Sequence, residues 1–313
     1  MTNSSINVIN KKMTLYFQRL FVIVVLISNF WLVNDVFAAA EITIASVQFP
    51  IEGNQSKKQF FNKLENYIQS AVAQKADLIL FPEWITLDTW SLDSKKSDKE
   101  IVLEIANSLT PEYMSVLKKL SQKYRILIAG GSTAKKIGTN VYNSAFVVYP
   151  NGKLIEHKKV YLTDWEIKNG ISPGSQPTVF DTKWGKFAIL ICYDVEFPDI
   201  SVDLSKYEID VLLVSSMTES KNGKMRVRWT SQSRAVELTS YVVISPTVGE
   251  VSKAWKHFGS AVFLEPQLPG FTGILKEEAS EKPKVVVQKL DLEKLRKSKK
   301  SSTWRPAKQI RKR

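Results

Sequence analysis

Three apolar runs in this chain each end in a reactive side chain at a turn. Leu78-Ile79-Leu80-Phe81 is stopped by Pro82, and Glu83 follows at once. His157-Lys158-Lys159-Val160-Tyr161-Leu162 carries Lys159, with Glu166 seven residues further on. Ala188-Ile189-Leu190-Ile191 leads into Cys192, Tyr193 and Asp194. A carboxylate, an ammonium and a thiol are the parts of a nucleophilic site. A thiol attacks as its thiolate and needs a base or a cation beside it. A carboxyl whose pKa is raised by burial can take that proton and return it later. Ligand sites in open α/β sheets collect at the carboxyl ends of strands, so the three groups can converge. Each also has a plain reading: a buried Cys packs, a strand-end Glu is solvated, and Lys159 with Glu166 makes a surface pair. Only the combination points to chemistry.

Composition narrows the alternatives. Cys192 is the only cysteine among 313 residues, so no internal disulfide can form. His157 and His257 are the only histidines. One Cys and two His are too few soft ligands for a typical zinc site, and they leave little material for a Cys-His or Ser-His-Asp arrangement. No cofactor is expected. The formal net charge is +13, but ten Lys and Arg against the single acid Glu293 lie between Leu292 and Arg313. The rest of the chain is near neutral, which argues against nucleic acid as a partner. Residues 292–313 form a basic tail, either a solvated end or a weak electrostatic contact to an anionic surface.

The elements that must position these groups follow from periodicity. Glu41–Gln48, Ala76–Phe81 and Ile126–Ala129 are apolar and suit buried strands, the last ended by Gly130-Gly131. Lys57–Gln74 has helical apolar spacing, and Thr110-Pro111-Glu112 opens a second helix. A polar loop is expected over Asp88–Lys99. Val141–Tyr149 and Leu154–Leu162 flank Pro150-Asn151-Gly152 as a hairpin. Val179–Thr182 and Lys186–Cys192 pair across Trp184-Gly185, residues 198–207 and Met225–Thr239 are helical, and Val211–Ser215, Tyr241–Ser245, Ser260–Leu264 and Lys284–Leu290 are strands. Strands alternating with helices predict a single α/β domain over residues 41–291.

The first forty residues stand apart. Lys11, Lys12 and Arg19 precede the apolar run Leu20–Val33, and Val36-Phe37-Ala38, with Ala39 and Ala40, offers small residues at signal-peptidase spacing. Residues 1–40 therefore fit a secretory signal peptide, and the chain is expected to be exported, periplasmic or secreted. An uncleaved N-terminal membrane anchor is the alternative.

The catalytic segments together resemble a known family. LILFPE around Glu83, KKVYLTDWE around Lys159 and Glu166, and ILICYDVEFP around Cys192 are similar to the nitrilase superfamily of carbon–nitrogen hydrolases. NSAFVVYPNGKL (Asn143–Leu154), PGSQPTVFDTKWGKFAILIC and RWTSQSRAVELTSYVV fit in order and spacing, so the likeness covers the chain from about Ile42 to the tail. CYDVEFP, MRVRWTSQSRAVE and LDLEKLRKSKKSSTWRPAK resemble most the branch often fused to an acetyltransferase-like domain. The commoner pattern has Arg where this chain has Glu196, a departure that bears on specificity.

The resemblance implies a four-layer αββα sandwich and assigns roles residue by residue. Cys192 matches the nucleophile, Glu83 the general base, Lys159 the oxyanion-stabilising cation and Glu166 a second, positioning carboxylate. The Tyr193 backbone N–H would assist the oxyanion, and Trp84, Trp165 and Glu196 would line the pocket rim. The implied reaction is hydrolysis of a small linear amide or carbamoyl compound through an acyl-thioenzyme. Alternatives on the same residues are a nitrilase, an N-acyltransferase, or a catalytically silent binding module. The resemblance also implies a homo-oligomer.

Overall fold

The computed structural model describes residues 39–310 apart from positions 92 and 254. The expected signal segment, its last two alanines excepted, lies outside the described residues. The first half of the chain runs β1 (Glu41–Pro50), α1 (Lys57–Ala73), β2 (Leu78–Leu80), α2 (Asp98–Glu104), α3 (Thr110–Tyr124), β3 (Leu127–Ile137), β4 (Asn140–Val148), β5 (Leu154–Lys158) and α4 (Asp164–Lys168). The second runs β6 (Thr178–Thr182), β7 (Gly185–Ile191), α5 (Asp199–Ser205), β8 (Val211–Ser216), α6 (Lys221–Leu238) and β9 (Tyr241–Glu250). β10 (Lys256–His257), β11 (Val262–Leu264), β12 (Ile274–Glu277), β13 (Lys284–Asp291), α7 (Leu292–Ser301) and a short α8 (Pro306–Ile310) complete it.

The strands order as β5-β4-β3-β2-β1-β9-β8-β7-β6, with β13 antiparallel to β1 and β11 antiparallel to β9. The backbones of β1 and β9 pair only at their ends, Phe49 opposite Thr247 and Pro50 opposite Val248, while the Ser46 and Ser245 hydroxyls reach across to the Ile244 and Val47 carbonyls, so two half-sheets are joined at that corner. Alternation along β1 shows how they stack. Ile42 and Ile44 pack with Leu190, Leu212 and Val243 of the other half, whereas Ala45, Val47 and Phe49 pack with Phe60 and Leu64 of α1 and Leu117 of α3. Helices α5 and α6 add Ile200, Leu204, Val227 and Leu238 to the second half. This is the expected α/β sandwich, with helices covering paired half-sheets.

Several local expectations need correction. Gly130-Gly131 does not end the third strand. β3 runs on to Ile137, and its register to β4 shifts between Ala129 and Ser132. Gly131 holds φ +73, and a Cβ there would lie 2.1 Å from the Pro82 carbonyl oxygen, so the glycine serves close backbone approach. The polar loop is shorter than expected: its first two residues end a largely buried 3-10 turn, Ile85–Thr89, and its last two begin α2, capped by a Ser97–Glu100 capping box. The strand over Leu154–Leu162 stops at Lys158. The basic tail is not all tail: Leu292–Ser301 folds as α7, with Leu292, Leu295 and Lys299 buried. Arg296 donates to Asp210 at 3.0 Å, and Lys299 donates to the Ile209 carbonyl at 2.6 Å.

Candidate active site

Glu83 is placed by contacts from two strands, β3 and β8, to the main chain just before it. The Phe81 N–H donates to Ala129 at 2.8 Å, Ser215 of β8 donates its hydroxyl to the Phe81 carbonyl at 2.9 Å, and Ser132 N–H donates to Pro82 at 3.1 Å. Trp84 then turns the chain with φ +50, its N–H on the Ser132 hydroxyl at 3.0 Å. Lys159 lies just past β5, its N–H on the Asn143 carbonyl of β4 at 2.9 Å. Glu166 is the third residue of α4, the N3 position of a capping box with Thr163, a signal legible as Thr163-Asp164-Trp165-Glu166. Cys192 stands where β7 breaks into a 3-10 turn and has φ +43, a left-handed backbone that a non-glycine residue adopts under constraint.

Asp194 ties the nucleophile turn to the lysine segment. Fully buried, it accepts from Val160 N–H at 2.9 Å and Tyr161 N–H at 2.8 Å with one oxygen. The other oxygen accepts from Ile191 N–H at 3.1 Å and His157 Nε2 at 3.0 Å. One carboxylate thereby fixes the spacing between Lys159 and Cys192, and His157 is spent on holding it.

The four expected catalytic side chains converge, all buried. Lys159 Nζ donates to Glu83 Oε1 at 2.7 Å and to Glu166 Oε2 at 2.8 Å. Glu83 Oε2 accepts from the Met217 N–H at 3.1 Å, and the Glu83 carboxylate and the Cys192 thiol are close enough to influence each other's charge. The thiol also meets the Met217 carbonyl at 3.3 Å, and Ser216 donates to Cys192 Sγ at 3.5 Å. Glu166 is held on both oxygens: Thr163 N–H and hydroxyl, at 2.9 and 3.0 Å, share Oε2 with Lys159, and Asn143 Nδ2 donates to Oε1 at 2.7 Å.

Burial dominates the electrostatics. It pushes the Glu83 carboxyl up to about 7, with Glu166 adding to the rise and Lys159 opposing it. Burial also pushes the Cys192 thiol up, and the negative charge of Glu83 adds to that against the pull of Lys159, so the resting group is a thiol. For Lys159, burial works against the charge, but the Glu166 and Glu83 carboxylates outweigh it and hold the ammonium above the usual lysine range.

These groups floor a cleft of about 400 Å³. Its walls include Trp84, Trp165, Tyr193, Glu196 and Met217, so every residue expected at the rim lines it. Trp84 and Trp165 meet edge to face, ring centroids 5.7 Å apart. Glu196 pairs with Arg226 at 2.9 Å, and Asp164 and Glu219 add two further carboxylates to the same cleft. Asn143, Asp194 and Arg226 were not singled out from the sequence. Asn143 and Asp194 stand inside the quoted motifs, and only contact geometry separates them from their neighbours.

A family model for the carbon–nitrogen hydrolases matches residues 43–300. The chain belongs to that family. The hydrolase is 32% identical over 280 residues to the probable hydrolase YhcX of Bacillus subtilis, an alignment covering 88% of this chain. It spans only 54% of that relative's length. To the omega-amidase NIT3 of Saccharomyces cerevisiae it is 26% identical over 267 residues, covering 81% of this chain and 88% of the relative. The crystal structure of S. cerevisiae Nit3, a member of branch 10 of the nitrilase superfamily, superposes with a TM-score of 0.73 at 22% identity. That match covers 86% of this chain and 97% of the other and establishes the shared fold. Membership and amidase-named relatives make this chain an enzyme of carbon–nitrogen bond hydrolysis at the level of the family. They speak to the family and not to any one branch of it.

Proposed function

We propose that the hydrolase cleaves small linear amides or carbamoyl compounds through an acyl-thioester on Cys192. One observation carries the reading: Glu83, Lys159, Glu166 and the only thiol of the chain are buried together on the floor of one cleft, with Lys159 bonded to both carboxylates. Glu83 takes the thiol proton as Sγ bonds to the carbonyl carbon, and the carbonyl becomes an oxyanion. Two Lys159 hydrogens are held by the glutamates, which leaves a third for that oxyanion, beside the Tyr193 N–H. Glu83 then returns the proton to the leaving nitrogen as the C–N bond breaks. In the second half Glu83 deprotonates water, which attacks the thioester and releases acid and thiol. Glu166, with both oxygens held by hydrogen bonds, positions Lys159. A nitrile substrate or an acyl transfer would use the same groups, and product analysis separates them.

Incubating the protein with a panel of amides, carbamoyl compounds and nitriles and recording intact mass tests the reading. The expected result is an acyl adduct on Cys192 together with released amine or ammonia. Mass unchanged across the panel, with no product, counts against it.

The base must be ionised to act, and burial sets its pKa to about 7. Activity is therefore expected to be full above pH 8 and to fall about tenfold per unit as pH drops below 7. The apparent value belongs to the coupled Glu83–Lys159–Cys192 cluster. A kcat/KM profile flat from pH 5 to 8 would remove Glu83 as base.

Self-association is part of the same proposal. Trp229 of α6 is 63% exposed and Ile274 of β12 is 46% exposed, and both line one surface groove. Trp229→Glu is expected to shift sedimentation toward a monomer, and an unchanged profile would place any contact elsewhere.

A further inference from the structure

We propose that Asn143 is a positioning residue that aims the base by clamping both glutamates with the two hydrogens of one amide nitrogen. The inference rests on the reading of Glu83 as base. Asn143 lies on β4, is fully buried, and touches three of the four converging residues. Its Nδ2 donates to Glu166 Oε1 at 2.7 Å and to Glu83 Oε1 at 3.0 Å, and its carbonyl accepts from the Lys159 N–H at 2.9 Å.

The other end of the same amide is the telling feature. Asn143 Oδ1 is buried and has no hydrogen-bond partner. Buried polar atoms are nearly always paired, so an orphan calls for a reason. Turning the amide over would set its oxygen against two carboxylate oxygens at these same short distances. The two glutamates therefore fix the orientation, and the orphaned acceptor is its cost.

The clamp fixes how the Glu83 carboxylate is turned. Oε1 is occupied by both Lys159 and Asn143, and Oε2 accepts from the Met217 N–H, so the carboxylate is held on both oxygens beside Cys192. The groups facing Glu83 are thus Lys159, Glu166, Cys192, Asn143 and the Met217 main chain. A carboxylate that loses an N–H donor in a buried site is harder to ionise. Without Asn143, Glu83 is free to swing about Lys159 and takes up its proton at higher pH.

The test reads the pH dependence of Cys192 alkylation by methyl vinyl ketone in the full chain, a probe with no C–N bond to cleave, beside kcat and KM for any amide that turns over. Wild type is expected to alkylate with a midpoint near pH 7, following Glu83. In Asn143→Ala the midpoint should rise by about one unit, alkylation below it should drop about tenfold, and kcat should fall about 10- to 100-fold with KM within threefold. Asn143→Asp has the same size but no N–H of its own, and it should be slower still and shifted further upward. A folded Asn143→Ala with the wild-type midpoint overturns the proposal. Should the alanine chain fail to fold, an unshifted midpoint in Asn143→Asp overturns it equally. A wild type that alkylates with the expected midpoint yet hydrolyses no amide refutes the proposed reaction and leaves the positioning role standing.

Discussion

Cys192→Ala is expected to lose amide turnover by about 10⁴-fold or more, the scale seen when a covalent nucleophile is removed from a site whose other parts remain. No other thiol exists in the chain to replace it. The fold should survive, because alanine fits the space of the thiol and tolerates the left-handed backbone about as well as cysteine does. Steady-state rates on an identified amide, with Tm measured alongside, decide the matter. Turnover within tenfold of wild type in a folded alanine variant would mean that the thiol is not the nucleophile.

Glu83→Gln and Lys159→Ala are expected to cut kcat by about 10²- to 10³-fold each, through different steps and with different costs to the fold. Glutamine keeps the size of Glu83 and can still accept from Lys159, but it cannot take the thiol proton. Single-turnover kinetics should therefore show both acylation and deacylation slowed. Lys159→Ala removes the oxyanion partner and also strands two buried carboxylates that shared it. Leaving a buried charge unpaired costs about 3–5 kcal/mol, so this variant should show a clear drop in Tm where Glu83→Gln shows little. A Glu83→Gln enzyme with wild-type rates in both half-reactions would remove it from proton transfer. Equal thermal stability in the two variants would mean that Lys159 is not the shared counter-ion.

The two parts of the site differ in how far they can be read from residues alone. Cys192 and Glu83 each follow an apolar run at a turn, and Lys159 stands in the KKVYLTDWE motif with Glu166, patterns that survive in one dimension. Glu166 is legible through the Thr163 capping box. Asn143 is not: it occupies one position in an alternating strand, and nothing distinguishes it from Ser144 until β3, β5 and α4 place two carboxylates beside it. The fold shows the same division. Buried strands and amphipathic helices announce themselves, whereas Gly130-Gly131 looks like a stop and is a register shift demanded by Pro82. In α7, charge hides a helix. Leu292 and Leu295 follow the Asp291 cap at helical spacing, but the seven residues after Leu295 are all Lys, Arg or Ser, which makes the stretch look solvated. Lys299 is buried there because Ile209 and Asp210 receive its ammonium, a contact far away along the chain.

The pairing of β1 with β13 sets an order of events for folding. Glu41–Gln48 hydrogen-bonds to residues 284–291, so the first strand of the fold is completed by the last. Contacts spanning nearly the whole domain require a large loop to close before they stabilise anything, and such topologies fold slowly. During synthesis β1 can find β2 early, but its other edge stays open until almost the entire chain has emerged. An open edge of this apolar character, carrying Ile42, Ile44, Val47 and Phe49, is a template for pairing between chains. Nascent or truncated chains lacking residues beyond about 280 are thus the aggregation-prone species, and a holdase acting before β13 appears would protect them.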